Sequence, residues 1–151
     1  MSRNTLGSSS TSHPIGWILG IASLLLAVQQ GFAVTYSWRT TTYEWVDISG
    51  SGTYVSGLGD DNNFGPYSIG FNFPFYGSSF STFRVCENGW ISFTSSAHTY
   101  TDTALPSTSA PENLVAPFFD DLDFRSQGSV CYKRESNRLI VSWLNAQHFS
   151  M

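Results

Sequence analysis

The chain has 151 residues, enough for one domain, and carries a formal net charge of −4 with a pI near 5.1. Charged residues make up 12% of it and aromatic residues 16%, which excludes a disordered chain and argues for a dense core. Lys133 is the single lysine and the arginines are scattered, so the basic footprint of a nucleic-acid binder is missing.

Residues 1–33 read as an export signal. Arg3 and the amino terminus give a weak positive start, and Ile15 to Val28 is an uninterrupted apolar run. At about 1.5 Å per residue that run falls short of a ~30 Å hydrocarbon core, so it suits a signal better than a span. Gly31 and Ala33 offer a cleavage site before Val34. The alternative is an uncleaved signal anchor, and only then is membrane contact expected. Either way the remainder is expected to be secreted or held at the cell surface.

Residues 34–42 form a polar lead, and residues 43–151 are expected to be a β-sandwich module. Tyr43 to Ile48 alternates well enough for a first strand, and Thr53 to Val55 for a brief second one. Gly57 to Pro66 is dense in Gly, Asp and Asn and reads as a loop, with Asp60 and Asp61 bonding their own backbone as Asx-turns. From Tyr67 to Phe93 the pattern is clearest. Ile69, Phe71, Phe73 and Phe75 share one parity, with Ser68, Gly70 and Asn72 on the other, as a half-buried strand requires. Asn88-Gly89 suits a two-residue hairpin turn, after which Ile91 and Phe93 resume the apolar parity. Thr94 to Pro111 is a long Ser/Thr-rich loop, and Leu114 to Phe119 a buried strand held to an edge or bulge by its proline. Ser129 to Arg134 and Arg138 to Leu144 form a hairpin, with Leu139, Val141 and Trp143 on one face.

No window sustains a helical period, so the fold class is all-β: an antiparallel, jelly-roll-like β-sandwich of about seven or eight strands. The chain stops just past the Trp143 strand, with no closing strand expected. It is therefore read as truncated at its C-terminus, part of a longer polypeptide with further domains. An exported context permits a disulfide. Cys86 shares a face with Arg84, and Cys131 with Lys133, so both are expected to point outward. They would bridge if their strands are adjacent, and remain free thiols if not.

IGFNFPFYG, FRVCENGWISF, LVAPFFDDLDF and GSVCYKRESNRLIVSW, in that order, resemble a β-sandwich accessory module of secreted and surface bacterial proteins. The same order is distantly similar to the extracellular nidogen-type domain. The resemblance covers Tyr43 to Met151 and implies a non-catalytic module whose ligands are largely unknown. Two departures stand out. Cys86 and Cys131 replace residues that are more often small or aromatic, and the family's final strands are missing.

Asp120, Asp121 and Asp123 are the sharpest chemical feature, since crowded carboxylates need a cation or water to relieve their repulsion. They are candidate calcium ligands, with Asp60, Asp61 or Glu87 available to complete the shell; solvated turn-capping aspartates are the commoner case. No other cofactor is expected. The same carboxylates could serve a hydrolase, although a glycosidase holds its pair roughly 5 to 9 Å apart across a sugar cleft. No G-x-S-x-G elbow is present, and neither His98 nor His148 has a nucleophile paired to it by pattern. Trp90, Tyr76 and Tyr100, with Trp45, are candidate ligand-binding aromatics if exposed. The expected function is a non-catalytic accessory or binding module contacting protein or glycan. A hydrolase and a purely structural spacer are the alternatives.

Overall fold

The computed structural model describes residues 37–150; the expected export signal lies outside the described residues. Nine strands and no helix occur among them. Three strands build one antiparallel sheet in the order β1 (Thr53–Tyr54), β7 (Ser129–Arg134), β8 (Leu139–Leu144). Four build a second, in chain order: β2 (Asn63–Phe75), β3 (Ser78–Cys86), β4 (Trp90–Ser92) and β5 (Leu114–Val115). A third, two-stranded sheet pairs β6 (Leu122–Asp123) with β9 (Gln147–His148). The architecture is consistent with a β-sandwich, as the alternation implied.

On β2 the expected alternation is obeyed along the whole apolar run. Ile69 is buried, Phe71, Phe73 and Phe75 are half-buried, and Ser68, Gly70, Asn72 and Pro74 are exposed. Phe73 lies opposite Phe80, and Tyr67 opposite Phe83, so aromatic residues face one another across the ladder. The two larger sheets meet through Tyr67 and Tyr132, 4.9 Å apart, and Phe83 and Tyr132, 5.3 Å apart. Between them lies a core of Val55, Ile69, Phe83, Val85, Phe93, Leu122, Phe124 and Val130. The Trp143 indole N–H of β8 donates to the Cys86 carbonyl of β3 at 2.9 Å, a polar rivet between the sheets.

Several expectations change. Tyr43 to Ile48 forms no strand; Ile48 is buried, but Trp45 stands 59% exposed. The loop expected to reach Pro66 ends at Asp61-Asn62, because β2 begins at Asn63 and pairs with Cys86. A two-residue strand, β9, follows Trp143 and pairs with β6, outside the sheet that β8 edges.

The cysteines change most. Cys86 and Cys131 are both free and fully buried, on β3 and β7 of different sheets. Both are expected to point outward, on the faces opposite Val85 and Val130, but both are 0% exposed, so those faces are not wet. The Ile48 to Gly52 turn folds over the Cys131 side, bringing Gly52 against Cys131 Cβ. Burial pushes the Cys86 thiol up to about 12, with Glu87 and Asp61 adding to the shift.

Candidate functional site

The β3–β4 hairpin is a three-residue loop, Glu87-Asn88-Gly89, since Cys86 pairs directly with Trp90. Only Gly89 takes a positive φ, +74°, so the expected two-residue turn with both centres left-handed gives way to a longer one. A β-carbon at Gly89 would lie 1.7 Å from the Phe118 carbonyl oxygen. Glycine is required there both by φ and by the close approach of a second backbone segment.

Glu87 and Asn88, both 0% exposed, fasten two loops that are distant in sequence. The Glu87 carboxylate accepts from the backbone N–H groups of Gly59 and of Asn62, the latter at 2.6 Å. The Asn88 amide donates to Asp61 Oδ1 at 2.9 Å, and its Oδ1 accepts from the Leu122 N–H at 2.8 Å. Its backbone carbonyl accepts from the Asp120 N–H at 3.4 Å. One buried dipeptide thereby holds Gly59 to Asn62 against Asp120 to Leu122. Trp90 continues the same ordering inward: it is fully buried, packs edge-on to Phe119, and donates to the Thr99 carbonyl at 3.0 Å.

The consequence is an acidic cluster. Carboxylate oxygens of Asp60, Asp61 and Asp121 all lie within 4.8 Å of one another. Asp60 Oδ1 is buried with no hydrogen-bond partner, while its Oδ2 lies 3.4 Å from Arg125. Burial raises the Asp60 pKa, and Asp61 and Asp123 add to the rise against the pull of Arg125. Asp121 is raised likewise, by burial first and then by Asp61 and Asp60. Glu87 is also raised, by burial, in spite of the backbone N–H groups it accepts.

Around the cluster opens a cleft of about 500 Å³ lined by Asp60, Asp61, Tyr100, Asp121, His148 and Phe149. Its rim is charged on both signs. Arg125 makes two 2.9 Å contacts with Asp123 and stacks 5.3 Å above the Phe149 ring. His148 lies 3.4 Å from Asp120, and His98 Nδ1 lies 2.7 Å from the Asp61 carbonyl oxygen.

The sequence-derived candidates therefore divide. Of Asp120, Asp121 and Asp123, only Asp121 joins the cluster; Asp123 is turned to Arg125 and Asp120 to His148. Asp60 and Asp61 take their places, and the Asx-turns expected of that pair are made instead by Asp47 and Asp123. Glu87 organises the site from beneath and is not among the clustered carboxylates. The exposed aromatic patch does not assemble, because Trp90 is core; Tyr100 lines the acidic cleft, and Tyr76 is exposed at the β2–β3 turn, edge-on to Phe75. Glu87 and Asn88 escaped the sequence reading as positioning residues, since Asn-Gly signals a turn and nothing local signals burial.

No solved structure matches the chain. The Asn-Gly hairpin, the acidic segment and the strand order already described fall within a match to the NIDO related family that covers residues 35–151, and the chain belongs to that nidogen-related family.

Proposed function

We propose that the domain is a non-catalytic accessory or binding module of a secreted or cell-surface protein, and that it contacts a protein or glycan ligand through the acidic cleft. In this reading Asp60, Asp61 and Asp121 hold a calcium ion at the cleft floor, and Tyr100 and Phe149 supply the apolar wall. Two observations carry it: Asp60, Asp61 and Asp121 bring carboxylate oxygens within 4.8 Å of one another, and Asp60 Oδ1 is buried without a hydrogen-bond partner, an arrangement that a hard divalent cation relieves. The same crowding speaks against glycoside hydrolysis, because paired glycosidase carboxylates stand roughly 5 to 9 Å apart to admit the reacting sugar carbon and water.

Calorimetric titration with CaCl₂ and MgCl₂ tests the reading. Saturable calcium binding that weakens at least about tenfold in Asp60→Asn and Asp121→Asn, with magnesium weaker, is the expected result. No binding at millimolar calcium, or equal binding by both variants, would sink the calcium assignment. A glycan and peptide array probed with and without calcium then identifies the ligand class.

A further inference from the structure

We propose that the chain forms a two-fold symmetric dimer by antiparallel pairing of β8 with β8 of a second copy. Among the described residues β8 is the outer strand of its sheet, and its partner strand β7 covers only one side. Its sequence, LIVSWL, has no charge and no proline, and its pairing with β7 runs without a bulge. Charge, proline and bulges are among the devices by which soluble proteins protect an open edge, and β8 has none of those three. Beside it an apolar groove of about 290 Å³ runs between the sheets, lined in part by Ile69, Phe73, Phe93, Val141 and Trp143. The open edge of β8 lies at its mouth, so a strand added there shields both backbone and groove.

Charge selects a second copy as the occupant. The hairpin that begins β8 carries Lys133, Arg134 and Arg138, which outnumber Glu135 and Glu44 beside it. Past the other end of β8, β9 returns to the segment bearing Asp120, Asp121 and Asp123, where Asp60 and Asp61 also gather and the five carboxylates outnumber Arg125 among them. The strand therefore runs from a basic end to an acidic end. Antiparallel pairing about a two-fold axis sets the basic end of each copy beside the acidic end of the other, which is the complementarity that steers association.

Register follows from the pleat. Leu139, Val141 and Trp143 pack toward the core, so the inner faces of both copies stay on one side only if residues of equal parity oppose. With the axis at Val141, that residue faces its own counterpart, and Leu139 faces the second copy's Trp143. The result is a continuous six-stranded sheet.

Sedimentation of the full chain across concentration and salt, combined with a site-specific crosslink, tests the dimer. The expected result is a concentration-dependent dimer that dissociates as ionic strength rises from about 0.05 to 0.5 M. Ile140→Lys, at a half-buried position on the face away from Leu139, Val141 and Trp143, should weaken it at least about tenfold by placing charge along the seam. Val141→Cys should form a covalent dimer on mild oxidation, since directly opposed residues lie within disulfide reach, whereas Ser136→Cys in the hairpin loop should not. A chain that stays monomeric at high concentration and low salt overturns the proposal, whatever other strand is then found on β8. So does a dimer indifferent to both Ile140→Lys and salt, which would place the contact elsewhere. Should Ile140→Lys fail to fold, the paired cysteine variants decide alone.

Discussion

Replacing Gly89 by alanine should be among the most damaging single-methyl additions to this domain. Its β-carbon would sit 1.7 Å from the Phe118 oxygen and 2.7 Å from the Phe118 carbonyl carbon, so a backbone must move. A left-handed φ of +74° costs an L-residue roughly 1–2 kcal/mol by itself. Displacing the Phe118 segment strains the Phe118 N–H to Gly89 carbonyl bond, 3.3 Å, and the Asp120 N–H to Asn88 carbonyl bond. Losing one or both adds about 1–2 kcal/mol, and the overpacking itself about 1–3 kcal/mol. The sum, about 3–7 kcal/mol, is a large share of the ~5–15 kcal/mol that keeps a domain folded. Urea unfolding of Gly89→Ala, with Gly50→Ala as control because nothing lies within 4 Å of its added methyl, measures it. A loss below about 1 kcal/mol at Gly89, or an equal loss at Gly50, would refute the claim that Phe118 seats on the hairpin.

Other outcomes follow from the same geometry. Asn88→Ala removes the partner of Asp61 and of the buried Leu122 N–H and should cost about 2–4 kcal/mol in urea unfolding, while a loss under 0.5 kcal/mol would mean the loops are held otherwise. Glu87→Gln keeps one acceptor but turns an amide toward a second N–H donor, so it should destabilise by about 1–3 kcal/mol and weaken calcium binding through loosened loops. Asp60, Glu87 and Asp121 have raised pKa values in the fold, so the folded state takes up protons more readily than the unfolded one. Their contribution to stability is thus present in mild acid and lost as pH rises through the raised values. Asp47, Asp123 and Glu135 are lowered, by hydrogen bonds to Ser49, Arg125 and Arg138 respectively, and their contribution is lost as pH falls through the lowered values. The urea midpoint without calcium should therefore rise from neutral pH into mild acid and fall in stronger acid; a steady fall from neutrality would count against the half-buried acidic cluster. Finally, Cys86 and Cys131 should resist a thiol reagent in the native chain and react together on unfolding, because both are fully buried; rapid labelling of either in the native state would contradict that burial.

The amino-acid sequence by itself determined the period. Alternating apolar residues from Ile69 to Phe75, the Asn-Gly hairpin before Ile91, and the 129–144 hairpin all follow from rules that act over a few residues. Those rules are local sterics and the two-residue repeat of a pleated strand, so they are legible without knowing what lies opposite. What only the tertiary structure decided is which faces are wet and which distant groups meet. Parity sets Cys131 opposite the core side of β7, yet the Ile48 to Gly52 turn covers it. Asn88-Gly89 announces a turn, yet the Asn88 side chain is buried as the clasp between two acidic loops. Three adjacent aspartates suggest one site, yet Asp121 alone of them joins Asp60 and Asp61, sixty residues earlier. Burial and long-range contact depend on how sheets and loops close over one another, and no short stretch of sequence carries that information.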